Sequence, residues 1–334
     1  VASLALVLSL SVGLTGCGNK TAQDDSDQDA STDGEGTKYT VGICQLVQHD
    51  ALDAATQGFK DALTEALGDK VQFVEQNAAN DIPTCATIVN GFVSDGVDLI
   101  LANATPALQA AVAATDSIPI LGTAVTEYGV ALDIKDFNGT VGGNVSGTSD
   151  LAPLDQQAAM ILELFPDAKK VGILYCSAEP NSVYQSDVVK AELEKSGVTV
   201  SVYTFADSND VAAVTATACD ENDVLYIPTD NTAASCTEAI NNVAEPAGVP
   251  IIAGEEGICA GCGVATLSIN YYDLGVTTGK MAAKILTGEA NISEMPIEYF
   301  PDPVKKYNPD LRGSRHHGSG GLRRDRLIFG NIKK

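Results

Sequence analysis

The feature that most constrains the fold of this 334-residue chain is an alternation of apolar runs and amphipathic segments that occurs twice. Residues 97–102 form a mainly apolar run, as expected for a parallel strand covered on both faces. Residues 50–67 place Leu52, Phe59 and Leu63 on one face at helical spacing. Strands and helices that alternate at this pitch predict a doubly wound parallel sheet.

The predicted elements fall into two series. The first series has strands at 38–46, 71–75, 97–102 and 118–121, and helices at 50–67, 83–93 and 106–114. The second has helices at 154–165, 182–195, 210–219, 233–243 and 273–286, and strands at 170–175, 198–204, 224–227, 249–253 and 264–268. We therefore predict an α/β protein.

The two series resemble each other in sequence. VDLIL at 97–101 is followed by ATP at 104–106, and DVLYI at 223–227 is followed by TDN at 229–231. This similarity predicts two doubly wound parallel-sheet lobes joined by a hinge, with a cleft where ligands lie beyond the carboxyl ends of the strands. We assign residues 38–147 and about 270–311 to lobe 1, and residues 148–269 to lobe 2.

The N-terminal residues predict a lipoprotein. LTGC at 14–17 follows an apolar segment at 1–13, which is shorter than the about 20 residues that span a bilayer. We interpret residues 1–17 as a signal and lipobox, and expect Cys17 to be lipidated and to anchor the chain to the outer face of a bacterial membrane. Residues 18–37 are acidic and lack large apolar side chains, which predicts a disordered tether.

The C-terminal residues differ in composition from the rest of the chain. Residues 312–334 hold seven of the 20 basic residues, together with His316 and His317, but only one acid, Asp325. Back-translation of residues 315–326 with suitable codons, read one base later, gives the acidic sequence GITVPEDYDAI. We interpret this tail as the product of a frameshift, so its histidines do not predict a metal site.

Charge and cysteine content exclude several classes of partner. The formal net charge of −24 argues against nucleic acid and against an anionic lipid surface. Seven cysteines remain besides Cys17, an odd number, so at least one is unpaired. Cys259 and Cys262 have no second such pair and no nearby histidine. We interpret them as two thiols of a loop before a strand or as a local disulfide, with no metal and no redox role.

Polar residues follow the predicted strands of both lobes. The first lobe offers hydroxyl groups and helix N-termini, which suit a carboxylate, whereas Asp150, Asp230 and Glu255 suit an ammonium group. Several of these residues are also good helix caps, a role that is compatible with binding. We predict a zwitterion site formed by Gln45, His49, Thr105, Ala124, Thr148, Ser149, Asp150, Asn181, Ser182, Asp230, Asn231 and Glu255.

The chain offers no catalytic set of residues. His49 is the one histidine outside the tail, and it has no evident nucleophile beside it. We expect it to line a pocket or to cap the helix that starts at Asp50. No nucleophile elbow, Walker motif or dinucleotide fingerprint lies at a strand–helix turn. We therefore predict a binding protein that is not an enzyme and needs no cofactor.

Several motifs, in order along the chain, resemble one family. They are ICQLVQHDALD at 43–53, GTSDL at 147–151, AEPNS at 178–182, PTDN at 228–231, YYDLG at 271–275 and GKMA at 279–282. Over residues 39–311 the chain is similar to the substrate-binding proteins of tryptophan/tyrosine-type ABC importers. Members of this family usually have an acidic segment at the position that follows residue 311 here, where this chain has its basic tail.

The resemblance implies a type I periplasmic-binding fold that closes by a hinge on a free amino acid, often an aromatic one. It also implies delivery of that amino acid to a membrane permease and its ATPase by a monomer. Two alternatives remain open, a ligand-sensing lipoprotein of the same fold and a binder of a sugar or nucleoside. Low aromatic content argues against a sugar, since sugar rings are usually held between large aromatic side chains.

Overall fold

The computed structural model describes residues 38–300, 303–309, 330 and 331. The predicted signal segment, Cys17, the tether and nearly all of the predicted frameshifted tail lie outside these residues. Among the described residues, no helix is both long and apolar enough to cross a membrane.

The first sheet contains six strands. They are β1 (Tyr39–Gln45), β2 (Val71–Asn77), β3 (Leu99–Asn103), β4 (Ile120–Val125), β5 (Val145–Ser149) and, much later in the chain, β11 (Glu298–Tyr299). Their spatial order is β11-β5-β4-β3-β1-β2, and every pair is parallel. All the carboxyl ends of this sheet therefore lie at one edge.

Helices cover both faces of the first sheet. They are α1 (Asp50–Leu67), α2 (Ile82–Asp95), α3 (Thr105–Ala114), the short α4 (Tyr128–Ala131) and α11 (Tyr271–Leu286). Leu99 shares a buried cluster with Phe59 of α1 and Met281 of α11. Its neighbour Ile100 points the other way and belongs to a cluster with Phe92 of α2.

The second sheet contains seven strands. They are β6 (Lys170–Cys176), β7 (Thr199–Phe205), β8 (Val224–Ile227), β9 (Ile251–Ala253), β10 (Ala265–Ser268), β12 (Val304–Tyr307) and β13 (Gly330–Asn331). Their order is β13-β12-β10-β9-β8-β6-β7, and β12 runs antiparallel to β10. The helices of this lobe are α5 (Leu154–Leu164), α6 (Pro180–Lys195), α7 (Val211–Glu221), α8 (Asn231–Ser235), α9 (Thr237–Ala247) and α10 (Glu256–Cys262).

The chain passes between the two sheets three times. The crossings follow β5, β10 and β11, and they lead into α5, α11 and β12. A chain with two parallel sheets and helices on their faces has the predicted fold class. These crossings occupy the place of the hinge predicted from the sequence, and we call them the hinge crossings.

Three sequence expectations were wrong. β12 pairs with β10 of the second sheet, so residues 304–307 do not belong to lobe 1. The single helix predicted at 233–243 is two helices, α8 and α9, which meet at Cys236. The Cys259–Cys262 segment lies on α10 and not in a loop, because Glu255 caps a helix there. The short elements α4, β5, β11 and β13 carry too little periodicity to be predicted.

Helices α1 and α11 approach so closely that only glycine fits at three positions between them, Gly58, Gly275 and Gly279, of which the first two are the tightest. A Cβ atom on Gly58 would lie 2.1 Å from the carbonyl oxygen of Tyr272, and one on Gly275 would lie 2.0 Å from that of Ala55. This contact fixes α11, which directly follows a hinge crossing, onto the first lobe.

We expect Gly275→Ala to lower the free energy of unfolding by about 2 kcal/mol, because the backbone of Ala55 must move to admit the methyl group. Gly91, inside α2, has open space around its Cα, and Gly91→Ala should raise stability by about 0.5 kcal/mol. Urea unfolding of both variants measures the difference. Equal effects would contradict the close crossing.

Candidate ligand-binding site

Two hydrogen bonds join the lobes at the carboxyl ends of their strands. The side-chain amide of Asn80, beyond β2, donates to the hydroxyl of Thr232 at 3.0 Å. The Nε2 atom of His49, beyond β1, lies 3.2 Å from the Oδ1 atom of Asn231. Asn231 and Thr232 begin α8, directly after β8. The cleft between the lobes is thus bounded by strand ends of both sheets, as predicted.

The carboxylate of Glu179 organises the second-lobe side of this cleft. Its Oε1 atom accepts hydrogen bonds from the backbone N–H and the hydroxyl of Thr232, both at 2.8 Å. Its Oε2 atom accepts from the backbone N–H of Asn231 at 3.0 Å and from its side-chain amide at 2.7 Å. These donors include N–H groups of the first turn of α8, where a negative charge is favourable. Glu179 therefore fixes the two residues that reach the first lobe.

Asp230 also belongs to this network. One carboxylate oxygen accepts from the backbone N–H of Ala233 at 2.7 Å and caps α8. The other accepts from the backbone N–H of Cys176 at 2.8 Å and from the hydroxyl of Ser182 at 2.7 Å. Burial raises the pKa of Asp230, and the charge of Glu179 acts in the same direction. Both oxygens have protein partners, so Asp230 ties three segments of the second lobe together.

Glu255 caps α10 in a similar way. Its side chain accepts from the backbone N–H of Gly257 at 2.6 Å and from that of Ile258. Burial raises the pKa of Glu255 to about 7, and the charges of Asp50 and Glu256 add to the effect. The capping alternative therefore describes both Asp230 and Glu255.

Asp150 differs from these two acids. It follows β5 at the first hinge crossing, and its Oδ2 atom accepts a hydrogen bond from the hydroxyl of Tyr271 at 2.9 Å. Its Oδ1 atom is buried and has no hydrogen-bond partner among the described residues. Burial raises the pKa of Asp150, while the bond from Tyr271 opposes that rise. An unpartnered carboxylate oxygen inside the protein calls for a donor from elsewhere.

Two more buried polar atoms near the cleft lack partners within the described part of the chain. They are Nδ1 of His49 and Oδ1 of Asn181, whose amide donates to the carbonyl of Thr229 at 3.0 Å. Burial lowers the pKa of His49 below 6.5, against the opposing hydrogen bond to Asn231. His49 occupies the N-cap position of α1, but its side chain makes no capping bond. Of the two roles expected for it, lining the cleft is the one that the structure supports.

The backbone is strained where β3 and β4 end. Ala104 has φ 90°, and Ala124 has φ 52°, both in a region that residues with a side chain avoid. Ala104 immediately precedes α3, which has no side-chain cap. Strain of this kind is typical of functional sites. The N–H groups of the first turn of α3, from Thr105 onward, thus have no side-chain cap, and such helix starts favour anions.

Three predicted site residues serve the scaffold of the first lobe. The amide of Gln45 donates to the carbonyl of Val47 at 2.9 Å and to Asp53 at 2.6 Å, which uses both of its N–H groups. Thr148 bonds to the hydroxyl of Thr278 at 2.8 Å. The Ser149 hydroxyl donates to the carbonyl of Thr126 at 2.8 Å and accepts from the backbone of Leu151, which shapes the hinge.

Sequence reasoning did not single out Glu179, Tyr271, Asn80 and Thr232 as site residues. Glu179 lies in a quoted motif directly after β6, and that position could have identified it. Tyr271 gives a weaker signal, as the first residue after the second hinge crossing. Asn80 and Thr232 carry no local signal, because their bond joins residues 152 positions apart.

One cavity between the lobes has an acid but no lysine or arginine among its described lining residues. It measures about 320 Å³ and is lined by Gln48, His49 and Asp50 from the first lobe and by Ser235 and Gly257 from the second, among others. No arginine precedes residue 312 in the chain.

The cysteines near the cleft have structural surroundings. The thiols of Cys259 and Cys262 lie 3.7 and 3.4 Å from the carbonyl oxygens of Gly263 and Ile258. Burial raises the pKa of both thiols. Over residues 38–309, apart from 301 and 302, no three His, Cys, Asp or Glu side chains are grouped so as to hold a metal ion.

The two sheets meet across a cleft that is bounded by the ends of their strands. The cleft has buried acids and a helix without a side-chain cap beside it. These features define a two-lobed small-molecule binding protein. The sequence profile described as ABC transporter substrate binding protein matches residues 40–306, and the chain belongs to that family. The resemblance noted in the motifs is confirmed. Because this is a family of binding proteins, the chain is not an enzyme.

Individual relatives agree with this assignment. A protein of Clostridioides difficile called tyrosine-binding protein is 38% identical over 310 residues, which cover 92% of this chain and 89% of that protein. The crystal structure of an ABC domain in complex with L-Trp from Streptococcus pneumoniae is 32% identical, with a TM-score of 0.79 over 83% of this chain and 94% of that one. The predicted type I periplasmic-binding fold is confirmed by such structures.

A third relative was solved in another state. It is the ligand-free, open structure of a substrate-binding protein with adhesive properties from Clostridium difficile. It is 37% identical and covers 88% of this chain and 99% of that one, with a TM-score of 0.66. The present structure is therefore closer in shape to the L-Trp complex than to this open structure, although its sequence is closer to the latter.

The raised pKa of Glu255 predicts a dependence of stability on pH. A carboxyl group with a folded-state pKa of about 7, against 4.5 when exposed, favours folding below pH 4.5, and this contribution is lost as the pH rises to 7. Between pH 5 and 8, the free energy of unfolding should fall by about 2 kcal/mol more in the wild type than in Glu255→Gln.

The matched control is Glu65→Gln, which removes an equal charge from an exposed position of α1. It should keep the wild-type dependence on pH. Urea titrations at both pH values give the comparison. If the free energy of unfolding changed equally with pH in the wild type and in Glu255→Gln, burial of this carboxyl group would not disfavour its charged form.

Proposed function

We propose that this protein is the extracytoplasmic substrate-binding component of an ABC importer and that it captures a free amino acid with an aromatic side chain. The observation that carries the proposal is the buried Oδ1 atom of Asp150, which has no partner among the described residues. An α-ammonium group placed there would supply the missing donors in a charge-assisted hydrogen bond.

The rest of a zwitterion fits the same edge of the first sheet. Asp150 follows β5. Ala124 lies near the end of β4 and Ala104 immediately precedes α3, and both have a strained backbone. With the ammonium group on Asp150, the α-carboxylate would accept hydrogen bonds from N–H groups at the start of α3, including that of Thr105. The positive end of the helix dipole would favour its charge.

Closure around the hinge would complete the site. His49 and Asn80 reach Asn231 and Thr232 only when the two sheets approach each other, so these hydrogen bonds would form on closing. The greater likeness in shape to the L-Trp complex than to the open relative supports this interpretation. A closed cleft would hide the ligand from water and present a distinct surface to the permease.

The aromatic nature of the ligand rests on relatives. One is called tyrosine-binding protein, and another was crystallised with L-Trp. We propose further that Cys17 carries lipid, which would hold the protein on the outer face of the membrane next to its permease and ATPase. We also propose that it acts as a monomer. A sensing role, or a sugar or nucleoside ligand, is the competing proposal.

A thermal-shift screen of the twenty amino acids, with several sugars and nucleosides, tests the class of ligand. Tyrosine, tryptophan or both should raise the melting temperature, since a ligand at 100 times its Kd stabilises the folded state by about 2.7 kcal/mol. A response to sugars or nucleosides alone, from folded protein, would contradict the amino-acid proposal.

Asp150→Asn tests the ammonium site. Loss of the charge should weaken amino-acid binding by at least a hundredfold, about 3 kcal/mol, as measured by calorimetry. Stability without ligand should not fall, because the substitution removes a buried charge and leaves an oxygen that can accept the bond from Tyr271. Asp155→Asn, at an exposed position five residues on, is the control and should bind like the wild type. Unchanged affinity in Asp150→Asn would exclude this role.

A further inference from the structure

The hydrogen bonds around Asn231 determine which nitrogen of His49 carries a proton. The side-chain amide of Asn231 donates to Glu179 at 2.7 Å, so its oxygen is the atom that faces His49. An amide oxygen can only accept, which makes Nε2 of His49 the donor. In the neutral ring Nδ1 then carries a lone pair. That nitrogen is buried and has no partner among the described residues.

The orientation of Asn231 is well determined. Its backbone N–H and its side-chain amide both donate to the same oxygen of Glu179, at 3.0 and 2.7 Å. A flipped amide would place its carbonyl oxygen against the carboxylate, where both atoms are acceptors. Glu179 in turn is held by Thr232 through two bonds of 2.8 Å. The acceptor character of His49 Nδ1 is thus set by a chain of contacts from the other lobe.

The position of His49 in the sheet indicates which part of the ligand it meets. The strand order β5-β4-β3-β1 places Asp150, after β5, three strands away from His49, after β1. Three strand spacings amount to about 14 Å. An ammonium group at Asp150 and a carboxylate at α3 leave the ligand's side chain as the part that extends towards β1.

We propose that His49 determines ligand specificity by accepting at Nδ1 a hydrogen bond from the ring of the ligand, either the phenol O–H of tyrosine or the indole N–H of tryptophan. The inference rests on the proposed function, since it assumes an aromatic amino acid in the cleft. Phenylalanine has no such donor and would leave the nitrogen buried and unpaired. Sites built to bond a polar group discriminate strongly against ligands that lack it.

Protonation adds a second property of the same nitrogen. Burial lowers the pKa of His49, although the charges of Glu179, Asp53 and Asp50, which face it, act in the opposite direction. A proton on Nδ1 turns the acceptor into a donor. This proton must leave before a ring O–H or N–H of the ligand can bond there. Affinity for tyrosine or tryptophan should therefore fall at acidic pH, once the pH drops below the lowered pKa of His49.

Calorimetric titration of the wild type with L-tyrosine, L-tryptophan and L-phenylalanine at pH 7.5 and pH 5.5 tests the inference. At pH 7.5 the wild type should bind tyrosine or tryptophan roughly ten- to a hundredfold more tightly than phenylalanine. In His49→Leu the side chain carries neither nitrogen, so no acceptor replaces Nδ1. The preference should fall to within about threefold, and the added loss of affinity at pH 5.5 should diminish.

A second variant and a control complete the design. His49→Phe keeps an aromatic ring without a nitrogen and should also abolish the preference, whereas Gln57→Ala, at an exposed position of α1 outside the cavity lining, should retain it. Phenylalanine binding as tightly as tyrosine and tryptophan in the wild type would overturn the role of His49 and leave the proposed function intact. A preference that persists in either folded His49 variant would do the same. Binding of none of the three ligands would overturn both.

Discussion

The geometry of the cleft depends on the hydrogen bonds that the buried carboxyl group of Glu179 accepts. A buried anion is costly unless donors surround it, and here the donors are the first two residues of α8. With only five residues, α8 has few internal hydrogen bonds to stabilise it. The acceptor oxygens of Glu179 at its N-terminus therefore provide stabilisation that a longer helix would gain from its own hydrogen bonds. The same residues, Asn231 and Thr232, provide the contacts to His49 and Asn80 in the other lobe. The side chain of Glu179 thus fixes both the start of a helix and the contacts through which the two lobes meet.

The acids at the strand ends divide into two kinds. Asp230 and Glu255 are saturated by backbone N–H groups of the helices that they cap. Asp150, at the hinge, keeps one buried oxygen without a partner among the described residues. No arginine lies in residues 1–311, and the alanines near the ends of β3 and β4 have positive φ angles. In the proposed zwitterion site, backbone donors positioned by these alanines would hold the ligand's anionic part. In such a site, binding of the anionic group would depend more on the conformation of the main chain than on the identity of the side chains.

The sequence permitted accurate prediction where local signals were strong. Periodicity alone placed the helix at 50–67 and the strand at 224–227 with the bounds that the structure has. The lobe that receives β12 could not be predicted, because strand pairing is a non-local choice. In the site, position after a strand placed Asp150 and His49 at the carboxyl edge of the first sheet, and their role in binding stays a prediction. The same rule also selected Gln45, whose amide groups are used within the first lobe. Which polar atoms remain free depends on partners far apart in the chain.

The order of strands along the chain has a consequence for how the protein is made. The strand β11 of the first sheet is synthesised after β6 to β10 of the second, and β12 of the second sheet follows β11. The strands of the two sheets therefore alternate late in the chain. The first sheet is complete only when residues 298–299 have left the ribosome, and the second only after residues 304–307 and 330–331. Domains generally fold as units once their chain is available. For a chain that is exported, as proposed here, this interleaving delays the completion of both cores until most of the polypeptide has emerged, which keeps it in a form that a translocation channel can thread.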